Sequence, residues 1–508
     1  MNLVNGSKYK LSFYVRSNGY KGNLAFQLSD DNGRRISDPK EFRVEGDEWV
    51  KYTATLKATS SCERGMLSIV PAHSGRFQLD MVSMFPADTW DNGKSIFRKD
   101  IMQNLVDYRL DFLRFPGGCI VHGVNEETMY QWKETIGDIA QRPGAWSKWA
   151  PYYRTDGLGY HEFYELCEYL NADAMYVTPT GMVCTEWVEQ TGVRQFKHIH
   201  TDIDYYVQDA LDAIEYAIGS VDSKWGAERA KNGHPAPFPL RYVEIGNEDF
   251  GTEYYPRYEK IATAIKSKYP QIKIIANSII FREENDKQKY IKDFIDPSKI
   301  DIYDEHYYQT IDWVKEEHYR FDAYKRNGPD IFIGELGIGG RYPKGILAEG
   351  VVKLSLERNG ELSPLMRNFD FLEGRRMNPV LLHNTSKSIK TFNYYMCEML
   401  RDNTIDVNYN VEVTNQKDVF VTAGRDSKTK EYIVKVINLA DETKEVKIEM
   451  AGLKKNNDVI ITELTAIDGQ INTPLSPKNV KPKTDQRKIS FPVTEKLLPN
   501  SFRVYRIK

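Results

Sequence analysis

The chain has 508 residues, 69 Lys and Arg against 72 Asp and Glu, and a formal net charge of -3. That length accommodates a (β/α) barrel of about 250 residues with smaller domains beside it. The near-neutral balance excludes the basic field that recruits nucleic acid or an anionic membrane, and no run reaches the length of a membrane helix.

Residues 1–86 read as all-β. Tyr9, Leu11, Phe13 and Val15 alternate, as do Leu24, Phe26 and Leu28, then Val50, Tyr52, Ala54 and Leu56. Turn clusters such as Asp30-Asp31-Asn32-Gly33 separate these runs, which predicts an antiparallel β-sandwich. Residues 1–16 lack the basic, apolar, small-residue order of a signal peptide.

Over residues 87–404 the pattern changes to strand–helix alternation. Strands are predicted at Phe112–Phe115, Ala174–Val177, Tyr242–Ile245, Ile272–Ala276, Ile300–Tyr303 and Ile331–Ile333. Amphipathic segments at 99–109, 161–171, 203–219 and 256–268 lie between them. Repeated βα units imply parallel strands in a TIM barrel or a doubly wound sheet. No G-x-G-x-x-G or Walker-type loop follows any strand, which weighs against nucleotide folds. From 405 to 508 the chain returns to β at Val419–Val421, Tyr432–Leu439, Val446–Met450 and Phe502–Val504. A second β-sandwich is expected there, with residues 470–488 as a charged connection.

Two glutamates stand out. Glu248 follows Tyr242-Val243-Glu244-Ile245-Gly246-Asn247, and Glu335 follows Ile331-Phe332-Ile333-Gly334. A β-branched run ending in an acidic residue at a glycine turn delivers a carboxylate to the sheet's C-terminal edge. Two carboxylates so delivered suit cleavage of a glycosidic bond. Asn247 offers a neutral amide to a sugar hydroxyl, and Arg114 is the expected fixed cation for Glu335. The bland alternative leaves each glutamate as a solvated strand end.

Arg114-Phe115-Pro116-Gly117-Gly118-Cys119 permits a tight turn directly after a strand, which brings main chain or Cys119 near a ligand or simply turns the chain. His306, Tyr307 and Tyr308 form another strand-end cluster, able to orient an acid/base or merely to pack as an aromatic belt. His198-x-His200 and Asp304-Glu305-His306 are the metal-ligand candidates, but no H-E-x-x-H spacing is present, so no metal or other cofactor is expected. The five cysteines are scattered, which predicts neither a disulfide framework nor a zinc site; Cys119 is expected as a small polarizable lining residue. An aromatic content of 12%, with 32 Tyr and 8 Trp, suits a carbohydrate cleft as well as a large core.

Several longer motifs carry a resemblance. Phe112 to Val121, Tyr130-Gln131-Trp132-Lys133-Glu134-Thr135-Ile136-Gly137, Arg142-Pro143-Gly144, Lys224-Trp225-Gly226, Arg229 to Pro235, Tyr242 to Glu248 and Glu305-His306-Tyr307-Tyr308 together resemble the longer-form α-L-arabinofuranosidases of glycoside hydrolase family 51. The resemblance runs from about residue 8 to the C-terminus. It implies a (β/α)8-type TIM barrel flanked by an N-terminal, carbohydrate-binding-module-like β-sandwich over 1–86 and a C-terminal β-sandwich over 405–508. It implies Glu248 as acid/base and Glu335 as nucleophile, with Arg114, Cys119, Asn247, His306 and Tyr308 around the furanose and Trp132 lining the cleft. The implied activity is retaining, exo-acting release of arabinofuranosyl units from arabinan or arabinoxylan side chains, without a cofactor. The implied partner is an arabinose-containing oligo- or polysaccharide, with no nucleic acid or membrane, in a possible homo-oligomer; secretion or a periplasmic location fits the family.

Departures accompany the matches. In the family the first barrel strand precedes the inserted sandwich, so this chain is expected to lack that strand. His122 stands where an acidic residue is usual, Leu336-Gly337-Ile338-Gly339-Gly340 follows Glu335, and Leu365 to Asp370 departs from the apolar pattern of the eighth strand. These leave two alternatives beside the enzyme: a catalytically impaired carbohydrate-binding remnant, and a barrel glycosidase of different sugar specificity.

Overall fold

The computed structural model describes residues 1–125, 127–147, 153–182, 202–249, 253–281, 295–340, 342–362, 365–366, 372–373, 379–413, 417–450, 453, 455–465 and 470–508. The chain divides into two compact units, one of Met1–Asp107 with Leu381–Ile389, the other of Tyr108–Val380 with Lys390–Lys508.

The first unit contains strands β1 (Lys8–Ser17), β2 (Gly22–Ser29), β3 (Lys40–Val44), β4 (Val50–Lys57), β5 (Met66–Pro71) and β6 (Phe77–Pro86). They form two antiparallel sheets, ordered β4-β1-β6 and β3-β2-β5. The alternation along β1 and β2 buries Leu11, Phe13, Val15, Leu24, Phe26 and Leu28. The rings of Phe13 and Phe26 stack 4.0 Å apart between the sheets, the core expected of an aligned sandwich. Helix α1 (Lys99–Tyr108) follows.

The second unit is built on seven parallel strands: β7 (Phe112–Phe115), β8 (Asp173–Thr178), β9 (Leu240–Ile245), β10 (Lys273–Phe281), β11 (Ile302–Gln309), β12 (Asp330–Ile338) and β13 (Leu365–Met366). Their order follows the sequence, β13-β12-β11-β10-β9-β8-β7, and among the described residues β7 and β13 remain edges. Of the two α/β arrangements that the periodicity leaves open, this is the barrel that the resemblance implies, not closed between β7 and β13. Side chains nevertheless bridge the opening, since the Phe112 ring lies 5.7 Å from Phe332.

The connections carry helices α2 (Tyr160–Leu170), α3 (Ile203–Ile218), α4 (Lys224–Lys231), α5 (Tyr254–Lys268), α6 (Ile311–Glu317), α7 (Pro343–Arg358) and α8 (Phe392–Arg401). Helix α3 starts at Asp202, whose carboxylate caps the amide of Asp204. It buries Tyr206, Ala210, Ala213, Ile214 and Ala217, the stripe of a 3.6-residue period. Arg229 from α4 donates to the carbonyls of Tyr216, Gly219, His234 and Pro235, so a buried cation closes the C-terminal end of α3. Helix α7 is buried from Gly345 to Leu356 on all sides, which explains why no amphipathic stripe marks it. Among the described residues no helix is long and apolar enough to cross a membrane.

The closing β region contains β14 (Val407–Tyr409), β15 (Val419–Arg425), β16 (Tyr432–Asn438), β17 (Lys444–Ile448), β18 (Asn457–Thr465), β19 (Lys483–Ile489), β20 (Val493–Leu497) and β21 (Ser501–Ile507). Six of them form the sheet β14-β15-β16-β21-β18-β19, and β17 pairs with β20. The charged connection expected at 470–488 is corrected here: Lys483–Ile489 is an edge strand paired with β18. Its side chains from Lys483 to Lys488 are exposed, and charge on an edge blocks further strand pairing.

Candidate active site

Inward-facing side chains of the barrel rise in steps of two residues. At the bottom, Met175, Ile275, Ile302 and Phe332 form an apolar floor, with Phe112 and Tyr242 at its margin. Two residues further along five of these strands stand Arg114, Glu244, Asn277, Asp304 and Gly334, and the interior turns polar. Gly334 is required there: its amide donates to Asp304 Oδ1 at 2.9 Å, and a Cβ would fall 2.2 Å from that oxygen.

Arg114 organises this polar layer. Its Nε and Nη2 donate to Glu244 at 2.5 and 2.7 Å, and Nη2 also donates to Asn247 Oδ1 at 2.8 Å. Its Nη1 lies 3.6 Å from Glu335 Oε1. The expected Arg114–Glu335 pairing therefore exists as a looser contact, while the rigid fork grips Glu244. Glu244 also accepts from Asn277 Nδ2 at 3.2 Å.

Above this layer sit the two glutamates. Glu248 lies past the end of β9, in a turn where Gly246 has φ +83° and Glu248 itself φ +54°. A non-glycine residue in the left-handed region stores strain that the surroundings must hold. They do so through Tyr254, whose hydroxyl donates to Ile245 and accepts from the amide of Asn277. A Cβ on Gly246 would meet Asp249 at 2.2 Å, so the glycine is fixed as well. Glu335 lies within β12, in register with His306 of β11, beside a bulge between Glu305 and His306. That strand continues to Ile338, beyond the end that its β-branched run suggested.

His306 joins the pair. Its Nδ1 is 2.8 Å from Glu248 Oε1 and 3.8 Å from Glu335 Oε2. Its Nε2 is 2.8 Å from Asp304 Oδ2, an ion-pair contact whose angles fall outside those of a hydrogen bond. Tyr308 donates its hydroxyl to Glu335 Oε2. Along β11 the side chains alternate: His306 and Tyr308 face the glutamates, while Glu305 and Tyr307 bond one another and pack outward with Tyr324.

Burial and charge set the protonation of this cluster. Burial would lower His306, but the charges of Asp304 and Glu335, with the hydrogen bond to Glu248, raise it well above 6.5. Burial pushes Glu244 up to about 7, against the opposing pull of Arg114. Burial acts on Asp304 in the same sense, yet the charges of His306 and Arg114 leave it below the usual value. Glu248, His306 and Glu335 offer donor atoms within 4.8 Å of one another, a spacing a metal ion could bridge.

The other expected residues divide. Asn247 is buried at the site, its Nδ2 without a hydrogen-bond partner among the described residues. His122 is buried beside it, Nε2 lying 3.1 Å from the amide of Asn247 and 3.0 Å from Asp249 Oδ2. Cys119, on the turn after β7, is disulfide-bonded rather than a free lining thiol. Cys62, Cys167 and Cys397 are free, so its partner is not among the described residues. Trp132 does not line an open cleft: it is fully buried against Tyr160, Tyr216 and Trp225, its Nε1 donating to Asp209. An indole that large gains most where its whole ring is enclosed and its N–H paired. His198 and His200 lie outside the described residues. Sequence reasoning passed over Glu244 and Asn277 and weighed Asp304 only as a metal ligand. The available signal was an acid between Val243 and Ile245 in a buried strand, a charge that demands a partner.

A parallel barrel that gathers carboxyls at the C-terminal ends of its strands has the architecture of a barrel glycosidase. The description α-L-arabinofuranosidase 1 domain matches residues 104–326, and α-L-arabinofuranosidase C-terminal domain matches 360–501. An extracellular exo-α-L-arabinofuranosidase of Streptomyces chartreusis is 32% identical over 82% of this chain and 50% of its own length. The chain thus spans half of that relative. α-L-Arabinofuranosidase 1 of Arabidopsis thaliana is 31% identical over 98% of this chain and 71% of its own. The fold is shared with the arabinose-bound MgGH51 α-L-arabinofuranosidase, at a TM-score of 0.85 and 24% identity over 100% of this chain and 83% of the other. The chain belongs to the α-L-arabinofuranosidases of glycoside hydrolase family 51.

Proposed function

We propose that the protein is a retaining, exo-acting α-L-arabinofuranosidase that removes terminal arabinofuranosyl residues from plant polysaccharide side chains such as arabinan and arabinoxylan. The observation that carries this reading is the approach of Glu248 and Glu335, whose carboxylate oxygens come within 4.8 Å. Double displacement calls for carboxyls about 5–5.5 Å apart, whereas an inverting pair needs about 6.5–9.5 Å to admit water.

In this reading Glu335 attacks the anomeric carbon, oriented by the hydroxyl of Tyr308 and faced by the charge of Arg114. Glu248 protonates the departing glycosidic oxygen, then takes a proton from the water that releases the sugar. His306 steers Glu248, and the Nδ2 of Asn247, without a partner among the described residues, is a donor available to a sugar hydroxyl.

The test is hydrolysis of an aryl α-L-arabinofuranoside by wild type, Glu248→Ala and Glu335→Ala. Each substitution should cost on the order of 10²- to 10⁴-fold in kcat. Equal activity in all three would overturn the assignment, as would an inverted anomer in the first-formed product. The pH–rate profile should be a bell, because one carboxyl works protonated and the other ionised. The opening between β7 and β13 favours a second reading, carbohydrate binding without turnover. Calorimetry with arabino-oligosaccharides would support it only if binding occurs and no product forms.

A further inference from the structure

A groove of about 1050 Å³ lies between α6, α7 and the strands β14 and β15, and none of its lining residues belongs to the candidate active site. Small-molecule pockets hold roughly 300–1,000 Å³, so the groove has room for a short chain rather than a single ring. Its floor is apolar, with Val351 and Leu354 of α7 and Val419 and Phe420 of β15 all buried. Its rim is polar and carries Asp312, Asp322, Arg358 and Asn408.

Tyr319 stands on that rim, 56% exposed despite its size. The ring is nevertheless held by its neighbours. The His318 ring lies 3.9 Å from it, and the Arg358 guanidinium 5.0 Å from its centroid. Arg358 is fixed in turn, donating to the two oxygens of Asp322 at 3.0 and 3.2 Å and to the carbonyl of His318 at 3.1 Å. His318 packs edge-on against Phe420 at 4.9 Å, and its Nδ1 lies 2.9 Å from the carbonyl of Lys315. An exposed ring already immobilised loses little freedom when a ligand stacks on it.

The lining narrows the ligand. Arg358 is paired with Asp322, and Lys315 with Asp312 and Asp418, while acidic lining residues outnumber basic ones. That disfavours an anion. A wholly apolar ligand would strip water from the polar rim without return. A neutral sugar chain satisfies both conditions: its C–H faces stack on an aromatic ring, and its hydroxyls bond to carboxylates and amides. The groove also points the right way. Helix α6 starts at Ile311, just past the C-terminal end of β11, the strand of His306 and Tyr308. Its seven residues span about 10 Å, so a chain lying from Tyr319 to Asp312 leads toward the mouth of the barrel.

We propose that this groove is a second carbohydrate site, with Tyr319 as the stacking platform for the main chain of a neutral pentose polysaccharide. The choice of a pentose polymer rests on the proposed function; a neutral glycan chain rests on the groove alone.

Tyr319→Ala tests this. On arabinan or arabinoxylan it should raise KM roughly five- to tenfold with kcat unchanged, while cleavage of an aryl α-L-arabinofuranoside stays at the wild-type rate. Tyr319→Phe, which keeps the ring, should match the wild type on every substrate. Equal losses on polymer and aryl glycoside, or no loss on either polymer, would overturn the proposal. A binding measurement separates the groove from the activity. In native gels containing arabinan or arabinoxylan, Glu335→Ala should be retarded, and the further change Tyr319→Ala should remove most of the retardation. The polymer that retards identifies the main chain. No retardation, or the same retardation with and without Tyr319, would defeat the groove and leave the activity standing. Retardation that depends on Tyr319, in a protein that cleaves no arabinofuranoside, would defeat the activity and leave the groove.

Discussion

Two clusters of buried charge in the second unit are built on opposite principles. Where β16 packs beside α7, Lys435 is fully buried and donates to Glu357 at 2.6 and 2.8 Å and to the carbonyl of Leu400 at 3.1 Å. One cation meets one anion, and all three ammonium donors are used. In the barrel four buried carboxyls, Glu244, Glu248, Asp304 and Glu335, meet two cations, Arg114 and His306. An amide donor of Asn247 finds no partner among the described residues, and Glu248 sits on a left-handed backbone. The balanced pair costs desolvation and returns fixed packing. The unbalanced cluster keeps protons and donors in reserve, which is what a site that must exchange protons with a substrate requires.

The contrast breaks first at the balanced pair. Glu357→Leu should cost about 3–5 kcal/mol, read as a fall in Tm, because it strands a buried ammonium. Lys435→Met added to it should recover most of the loss, and neither variant should alter the shape of the pH–rate profile. A double variant as unstable as the single would erase the distinction. The same exchange in the barrel should fail. Arg114→Met with Glu244→Leu removes a pair just as neatly, yet activity should fall on the order of 10²-fold, about 2.7 kcal/mol. The reason is that Arg114 also holds Asn247 and Glu335. Recovery of full activity would reduce the barrel cluster to scaffolding.

A pH series sharpens the difference further. His306 is raised well above 6.5 in the fold, so its stabilising contribution is complete below pH 6.5 and is lost as pH rises through the folded value. The gap in Tm between wild type and His306→Gln should therefore narrow on the alkaline side. Parallel curves would mean that the imidazolium adds nothing to the folded state.

Much of this was legible in the residues. The period-two runs placed β1, β2 and β4, and the β-branched runs placed six barrel strands, because buried parallel strands are continuously apolar. The C-terminal halves of three of them, β10, β11 and β12, were not legible. Ile302–Gln309 is a strand whose latter part reads Asp-Glu-His-Tyr-Tyr-Gln, since its inward positions serve the site rather than a core. Glu335 was found but its strand was ended too soon for the same reason. Glu244 was missed because an acid flanked by Val243 and Ile245 looks like noise in a strand until Arg114 is seen opposite it. Trp132 was carried to the cleft by the resemblance, whereas its indole closes the packing around Tyr160 and Trp225. The Lys483–Ile489 strand was lost to its charge, which on an edge is protective rather than disordering.

The smallest expected effect separates orientation from charge within the site itself. Tyr308 is half-buried and donates its only hydroxyl to Glu335, whereas Arg114 supports the same carboxylate by charge from 3.6 Å. Removing the hydroxyl in Tyr308→Phe takes away one charge-assisted hydrogen bond, worth about 1.5–3 kcal/mol at most. Arg114 stays to limit the loss, so kcat should fall about tenfold. Tm should change little, because the ring remains and the freed carboxylate oxygen can turn to water at the mouth of the site. A loss as large as that of Glu335→Ala would mean that Tyr308 takes part in the chemistry. No loss at all would leave the charges of Arg114 and His306 as the support of Glu335, so that charge rather than orientation holds this carboxylate.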